Sequence, residues 1–506
     1  MERRGFLKGA ALAGGVAGGT ALALTRLDSD GSGDSNETDE TGETETNVGA
    51  NPPGGNGQPQ DPDDPSEPEG PPEQTRPPEG EPSTSETVNY ADAYGTVVNA
   101  VAEGADPEAG EPINSLLEEF QGDDTLLSFP GGEYLVDPIT FSNTSSLGIA
   151  TAFDERPTFL LSGGSPSMGK PHVHFDGVSD LLLEGIDIEY AGEQSGGQVR
   201  VVADDDATVR DVRMGSIDAP NLSLFRIEVT DEDGTAVVEN FSSESNDEDN
   251  ETTGVFVGEH HAGTLTFRDC EIKNYGDNGL YGSAPGTSDG AGGTVHVETG
   301  TFRNNNISNV RLGTTGSSAR DVEVVVDNGP AVDSVNQRGI RLRRQHDQLV
   351  ENCEITYTEG AGDSFGAIVF HSDNGGATIR DTSVTVDKDT IPAIFSFYNG
   401  SGYETSPVVE NVTIDGSAAG GYAANFVGRE NVTFRNCRIV QTGANRDGIR
   451  IANRDGGEIV DCHIEVDRRP IVIDDGTAKI RNTTIVTPDG ERVIEEETVR
   501  NDSVMP

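Results

Sequence analysis

Tryptophan is absent from this 506-residue chain and lysine nearly so: the 34 basic residues comprise five lysines and 29 arginines, against 89 acidic residues and a formal net charge of −55. The shortage of positive charge excludes nucleic acid as a partner, because phosphate binding needs a basic surface. It disfavours anionic membrane surfaces for the same reason. Four cysteines are too few for a disulfide-dense scaffold and lack the spacing of a zinc site. Long apolar runs are also missing. The longest, Ala10 to Leu24, is short for a membrane span, so no span is expected in the mature chain. An acidic surface of this strength repels itself at low salt and is relieved by screening. Such a composition suits a very saline environment.

The chain begins with Glu2-Arg-Arg-Gly-Phe-Leu-Lys8, then the short apolar run, then Ala21-Leu22-Ala23 as a small-residue exit. That order predicts a signal peptide over 1–27. The pair Arg3-Arg4 followed by Phe6-Leu7-Lys8 resembles the twin-arginine export signal, with Glu2 in place of the usual Ser or Thr. Export to the exterior or the cell surface follows as the expectation. Residues 28–87 hold 17 Asp or Glu, one basic residue (Arg76) and 11 Pro. With almost nothing to bury, they read as a disordered, extended acidic linker.

From residue 183 a six-residue phrase recurs: apolar, polar, Asp/Asn, small or apolar, polar, apolar. Clear copies are Val209-Arg-Asp-Val-Arg-Met214, Phe267-Arg-Asp-Cys-Glu-Ile272, Val350-Glu-Asn-Cys-Glu-Ile355 and Phe434-Arg-Asn-Cys-Arg-Ile439. Twelve copies are found, at intervals of 21 to 31 residues. A period in this range means a solenoid, and short alternating segments with Gly, Asn and Asp turns mean strands. Ten of the twelve third positions are Asp or Asn. This column is a bend device, because these residues tolerate the left-handed backbone. All four cysteines (270, 353, 437, 462) occupy the fourth position, as small buried hydrophobes. Only Cys437 and Cys462, one coil apart, are close enough to consider a disulfide.

The phrase, and the Asn-Gly or Asp-Gly strands between copies, resemble the right-handed parallel β-helix repeats of the pectin-lyase-like superfamily. The pairing of that fold with a twin-arginine signal and this acidity has a haloarchaeal cast. The expected organisation is a single all-β solenoid over 88–487 and a C-terminal tail over 488–506 that closes or leaves the far end. Ile113, Leu116, Leu117 and Phe120 form one helical stripe, a short helix expected to cap the near end.

A solenoid core is apolar, so chemistry must lie on outward side chains or loops. If the strands between phrases are in register, alternation puts Val255, Leu280, Val310, Ile340 and Ile449 inside. Phe256, Tyr281, Arg311, Arg341 and Arg450 then point outward. Arg338, Arg341, Arg343 and Arg344 gather positive charge in a chain with little of it. His346 and His371 lie nearby. Arginine grips carboxylates with two parallel bonds, so this group suits a uronic-acid polymer. The superfamily resemblance implies a polysaccharide lyase: Arg341 or Arg343 as base or charge neutraliser, and His346 or Tyr281 as proton donor. Arg311, Arg338, Arg344, His371 and Arg450 would bind substrate. The competing expectation is a non-catalytic glycan-binding surface protein whose arginines only pair with neighbouring acids. A glycoside hydrolase is less favoured. Arg450-Ile451 is followed by Ala452 where the polygalacturonase phrase has Lys, and the paired Asp of those enzymes is missing. No metal-ligand pattern is present. Ca²⁺ would find only the acidic runs Asp204-Asp205-Asp206 and 244–251. The protein is expected to be a monomer with a polysaccharide or envelope glycan as partner.

Overall fold

The structure is a computed structural model. It describes residues 93–506 apart from 152–154, 165–169, 193–194, 218–221, 246–250, 333, 404–405, 489, 501–502 and 505–506. The signal (1–27), the linker (28–87) and most of the acidic run 244–251 lie outside the described residues.

Most copies of the phrase lay down two short strands with a bend between them; at Phe267, Val297 and Ile480 one strand runs through the bend. At Val209 the two strands are Ala207–Arg210 and Arg213–Met214; at Ile379 they are Gly376–Arg380 and Ser383–Val386. A third strand follows after a loop, such as Ser223–Val229 or Ile394–Ser396. Equivalent strands of successive coils pair in parallel and in register, as in Val209↔Val238 and Ile379↔Val409. The product is a parallel β-solenoid of about 12 turns, wound in the right-handed sense that parallel crossovers take.

The bend explains the phrase. All twelve third positions have a left-handed backbone: the ten Asp and Asn at φ between 47° and 55°, Thr299 at 63° and Gly185 at 70°. Stacked side chains then bond from coil to coil. Asn411 Nδ2 donates to Asp381 Oδ1 at 2.9 Å and Asn436 Nδ2 to Asn411 Oδ1 at 2.8 Å. Inside, aliphatic and aromatic side chains stack in columns; Phe141 lies on Phe175 with ring centroids 4.8 Å apart. The four cysteines are buried and free, with Cys437 Sγ donating to Val409 O at 3.4 Å.

Both ends are closed. The helix Asn114–Phe120 buries Leu116 and Leu117, and Leu117 reaches the interior beside Val136, Phe141 and Phe159. At the far end, Gly490–Arg500 turns back and pairs antiparallel with Thr477–Thr487. Its exposed Glu491, Arg492, Glu495 and Glu496 make the last free edge a poor template for a further strand. No helix among the described residues is long and apolar enough to cross a membrane.

Candidate functional site

The third strands carry the site. Val255, Leu280, Val310, Ile340, Ile368, Ile394, Ala424 and Ile449 form one inward column. The residues that follow them (Phe256, Tyr281, Arg311, Arg341, Val369, Phe395, Asn425 and Arg450) form the outward column in the same register. Alternation along a strand thus places the predicted Tyr281, Arg311 and Arg341 on three successive coils. Stacking side chains along the column brings π faces and cations together. Arg226 lies over the Phe256 ring at 5.0 Å, Phe256 meets Tyr281 at 4.8 Å, and Arg311 covers Tyr281 at 3.8 Å.

Although outward from the bore, this row is covered. Arg311, Arg341, Arg343 and Arg338 expose 2, 1, 3 and 4% of their surface. The turn Ala284–Gly286, itself buried, passes close to Gly313 and Arg344. From Ser283, at its start, the hydroxyl accepts a 2.7 Å bond from Arg311 Nε. Arg311 Nη2 is buried with no hydrogen-bond partner. Burial, and crowding by Arg343, Arg341 and Arg344, push the Arg311 guanidinium down to about 9. A buried donor without a partner costs about 1–3 kcal/mol. Positive charge is therefore crowded here, and one buried nitrogen of Arg311 is left without a hydrogen-bond partner.

Two carboxylates that sequence reasoning did not select belong to the site. Asp277 accepts bonds from Thr253 Oγ1 (2.6 Å) and Asn278 Nδ2 (2.9 Å). Burial raises its pKa, while Thr253, Asn278, Arg311 and Arg341 pull the other way without cancelling the rise. Its only sequence signal was its place in Gly276-Asp-Asn-Gly, where it read as a turn residue. Asp373 is the anchor of the other arginines. Arg343 Nε lies 3.1 and 3.0 Å from its two oxygens, and Arg343 Nη2 2.9 Å from Oδ2. Arg344 Nη1 is 3.4 Å from Oδ2, and His371 Nδ1 3.0 Å from Oδ1. Burial raises the Asp373 pKa, but bonds from His371 and Arg343 outweigh it and hold the carboxyl well below the usual carboxylate range.

The remaining predicted residues sit at the margins. Arg338 lies over Phe365 at 5.2 Å and donates to Ile307 O at 3.1 Å. His346 pairs with Asp347 (2.7 Å) and faces Tyr403 (4.7 Å). Arg450 is four coils beyond Arg341, about 19 Å at one strand spacing per coil; there it pairs with Asp474 at 2.7 Å and lies 5.5 Å over Tyr422. The structure thus gathers Tyr281, Arg311, Arg341, Arg343, Arg344 and His371, and leaves Arg450 apart from them. No group of three or more His, Cys, Asp or Glu among the described residues is arranged to hold a metal ion.

No family model matches the chain, and no curated protein matches its sequence. Among solved structures, the chain is similar to a hyperthermoactive exopolygalacturonase from Thermotoga maritima (13% identity, 81% of this chain and 95% of that one, TM-score 0.40). It is also similar to the A-module of the mannuronan C-5 epimerase AlgE4 of Azotobacter vinelandii (14%, 63% and 95%, TM-score 0.43). A third is PfbA, a surface adhesin of Streptococcus pneumoniae (12%, 80% and 98%, TM-score 0.40). At these values no residue role passes from them to this chain.

Proposed function

We propose that this is an exported β-helix protein that acts on an acidic polysaccharide as a uronate lyase, at the Arg311–Arg341 row. One observation carries the reading. In a chain of net charge −55, Arg311 is buried against other arginines with an unpartnered Nη2. That arrangement suits a carboxylate supplied by a ligand. In the proposed reaction the uronate carboxylate sits against Arg311 and Arg341. The proton α to that carboxylate is removed by Asp277, and its electron pair moves into the carboxylate, where the arginines stabilise the enolate-like charge. The bond to the β oxygen breaks as the C=C bond forms. Tyr281 returns a proton to the departing sugar oxygen. Arg343 and His371, tied to Asp373, hold the row in position.

The test is incubation of the mature protein, in molar salt, with a panel of acidic polysaccharides, following unsaturated-uronate absorbance and reducing ends. Product is expected with at least one polymer, and Arg311→Ala, Arg341→Ala and Asp277→Asn should abolish it. Reducing ends without unsaturation would mean hydrolysis and overturn the lyase chemistry. The pairing of Arg343 and Arg344 with Asp373 favours a second reading, a non-catalytic glycan-binding surface protein whose arginines are structural. Binding by calorimetry with no product from any polymer would select it.

A further inference from the structure

We propose that Asn143 and Asn431 are acceptor sites for asparagine-linked saccharides, transferred from an activated glycosyl phosphate once the folded chain has left the cell. This rests on the export proposed above and is independent of the lyase chemistry.

Eleven Asn-x-Ser/Thr triplets, none with Pro at x, occur in the chain. In an exported protein such a triplet is an acceptor for a bulky, solubilising glycan. Four of them, at Asn36, Asn221, Asn250 and Asn501, lie outside the described residues. The fold sorts the other seven, because a folded chain offers only those amides that reach the surface and are not already engaged. Asn306 is 2% exposed, and its Nδ2 donates to Gly276 O (3.0 Å) and Ser334 O (2.8 Å). Asn399 is half-buried; its Nδ2 donates to Tyr403 O (3.2 Å) and its Oδ1 accepts from Ser401 Oγ (2.6 Å). Asn240 and Asn411 are rungs of the bend ladder, with Nδ2 donating along the stack to Asp211 and Asp381. Rungs about 4.8 Å apart leave no room there for a sugar ring. Asn482 follows in the same column, in a strand paired on one edge by Gly457–Val460 and on the other by Gly490–Arg500.

Asn143 and Asn431 differ from all of these. Both are exposed, and neither side chain makes a hydrogen bond among the described residues. Both sit in the turn from a third strand to the next first strand, after Ile139–Ser142 and Tyr422–Val427. Each faces a left-handed glycine in the same turn of the next coil, Gly177 (φ 65°) and Gly456 (φ 85°), so no neighbouring side chain competes for the space. The hydroxyls of the triplets are in place. Ser145 is exposed, and Thr433 Oγ1 donates to Asn431 O at 3.3 Å. The two coils lie six before Arg311 and three beyond Arg341, so saccharides at these turns stand clear of the arginine row. In the transfer, Nδ2 bonds to the anomeric carbon as the bond from that carbon to the phosphate oxygen breaks. The phosphate leaves with the electron pair, and the transferase takes the amide proton.

The test is peptide mass spectrometry of the protein isolated from its source cells, with surface and medium fractions separated from cytoplasm. Outside the cell, peptides containing Asn143 and Asn431 should carry a saccharide mass, and those containing Asn240, Asn306 and Asn411 should be bare. Asn143→Gln and Asn431→Gln should each lose the mass at that site. Ser145→Ala and Thr433→Val keep the asparagine and should lose it too, which separates enzymatic transfer from a spontaneous sugar adduct. Bare Asn143 and Asn431 on exported protein overturn the proposal and leave the export standing. So does saccharide that persists in Ser145→Ala and Thr433→Val, or that loads Asn306 and Asn411 equally. A chain found only in the cytoplasm overturns both the sites and the export.

Discussion

Replacing Arg311 by methionine should make the protein more stable and less able to hold its ligand. Arg311 is 2% exposed, and leaving a buried charge uncompensated costs about 3–5 kcal/mol. Methionine, of similar length, removes that cost and the repulsion from Arg341, Arg343 and Arg344. Two direct contacts, and the attraction to the nearby Asp277 carboxyl, go with it. The bond to Ser283 Oγ (2.7 Å) contributes about 1.5 kcal/mol for a charged donor, and the cation over Tyr281 at 3.8 Å contributes about 1–2 kcal/mol. The net expectation is a gain of about 1 kcal/mol. For a domain of this size that raises Tm by only about 1–2 °C, so calorimetry should be paired with amide exchange over Ser308–Leu312. Arg311→Lys keeps the charge, loses the stacked plane, and should melt below the methionine variant. Arg311→Met should also lose binding to acidic polysaccharide, the usual trade between a poised site and stability. A methionine variant that melts several degrees below the wild type would refute the reasoning. It would mean Arg311 is an ordinary structural residue.

Arg429 should behave in the opposite way. It is 1% exposed and donates to Ser396 Oγ (2.8 Å), Phe397 O (3.1 Å), His371 O (2.7 Å) and Asn374 O. Arg429→Met orphans those carbonyls and should cost about 3–5 kcal/mol in a urea titration; a neutral result would remove its role as a clamp between coils. At the bend, Asn411→Gly keeps φ 55° and loses only the exposed ladder bonds. Asn411→Ala adds the left-handed penalty and should be less stable than the glycine variant by about 1 kcal/mol; equal stability would show that the ladder, not the backbone, selects Asn. Because burial raises the Asp277 pKa, the folded state binds its proton more tightly than the unfolded chain. Its contribution to stability is present at low pH and lost as pH rises through the folded value. Turnover that needs the carboxylate should rise with pH over the same window, above the ordinary carboxylate range. An acid limb lying at or below the ordinary carboxylate value would exclude Asp277 as the base.

The repeat was legible because its period has a local cause. The third phrase position must take a left-handed backbone, only a few residue types do so cheaply, and the sequence therefore displays Asp and Asn at Asp211, Asn240, Asp269 and onward. The outward column was legible too, since alternation and register are enough to align Tyr281, Arg311 and Arg341. Asp277 and Asp373 were not. Both stand in turns, where an Asp has a sufficient local reason to be present. Arg429 and Arg446 were also missed. Each bonds carbonyls of earlier coils, and no sequence pattern distinguishes a buried clamp from a solvated arginine.

What the sequence determined alone was the solenoid, its bends and the face on which charge gathers. These follow from φ preferences and a two-residue alternation that each short segment obeys independently. Only the tertiary structure decided which arginines are covered, which acid each one meets, and which is left over. Those outcomes depend on loops that fold back over neighbouring coils. Ser283 against Arg311, and Asp373 against Arg343, lie 28 and 30 residues apart in sequence, and the chain must wind a full turn before either contact exists.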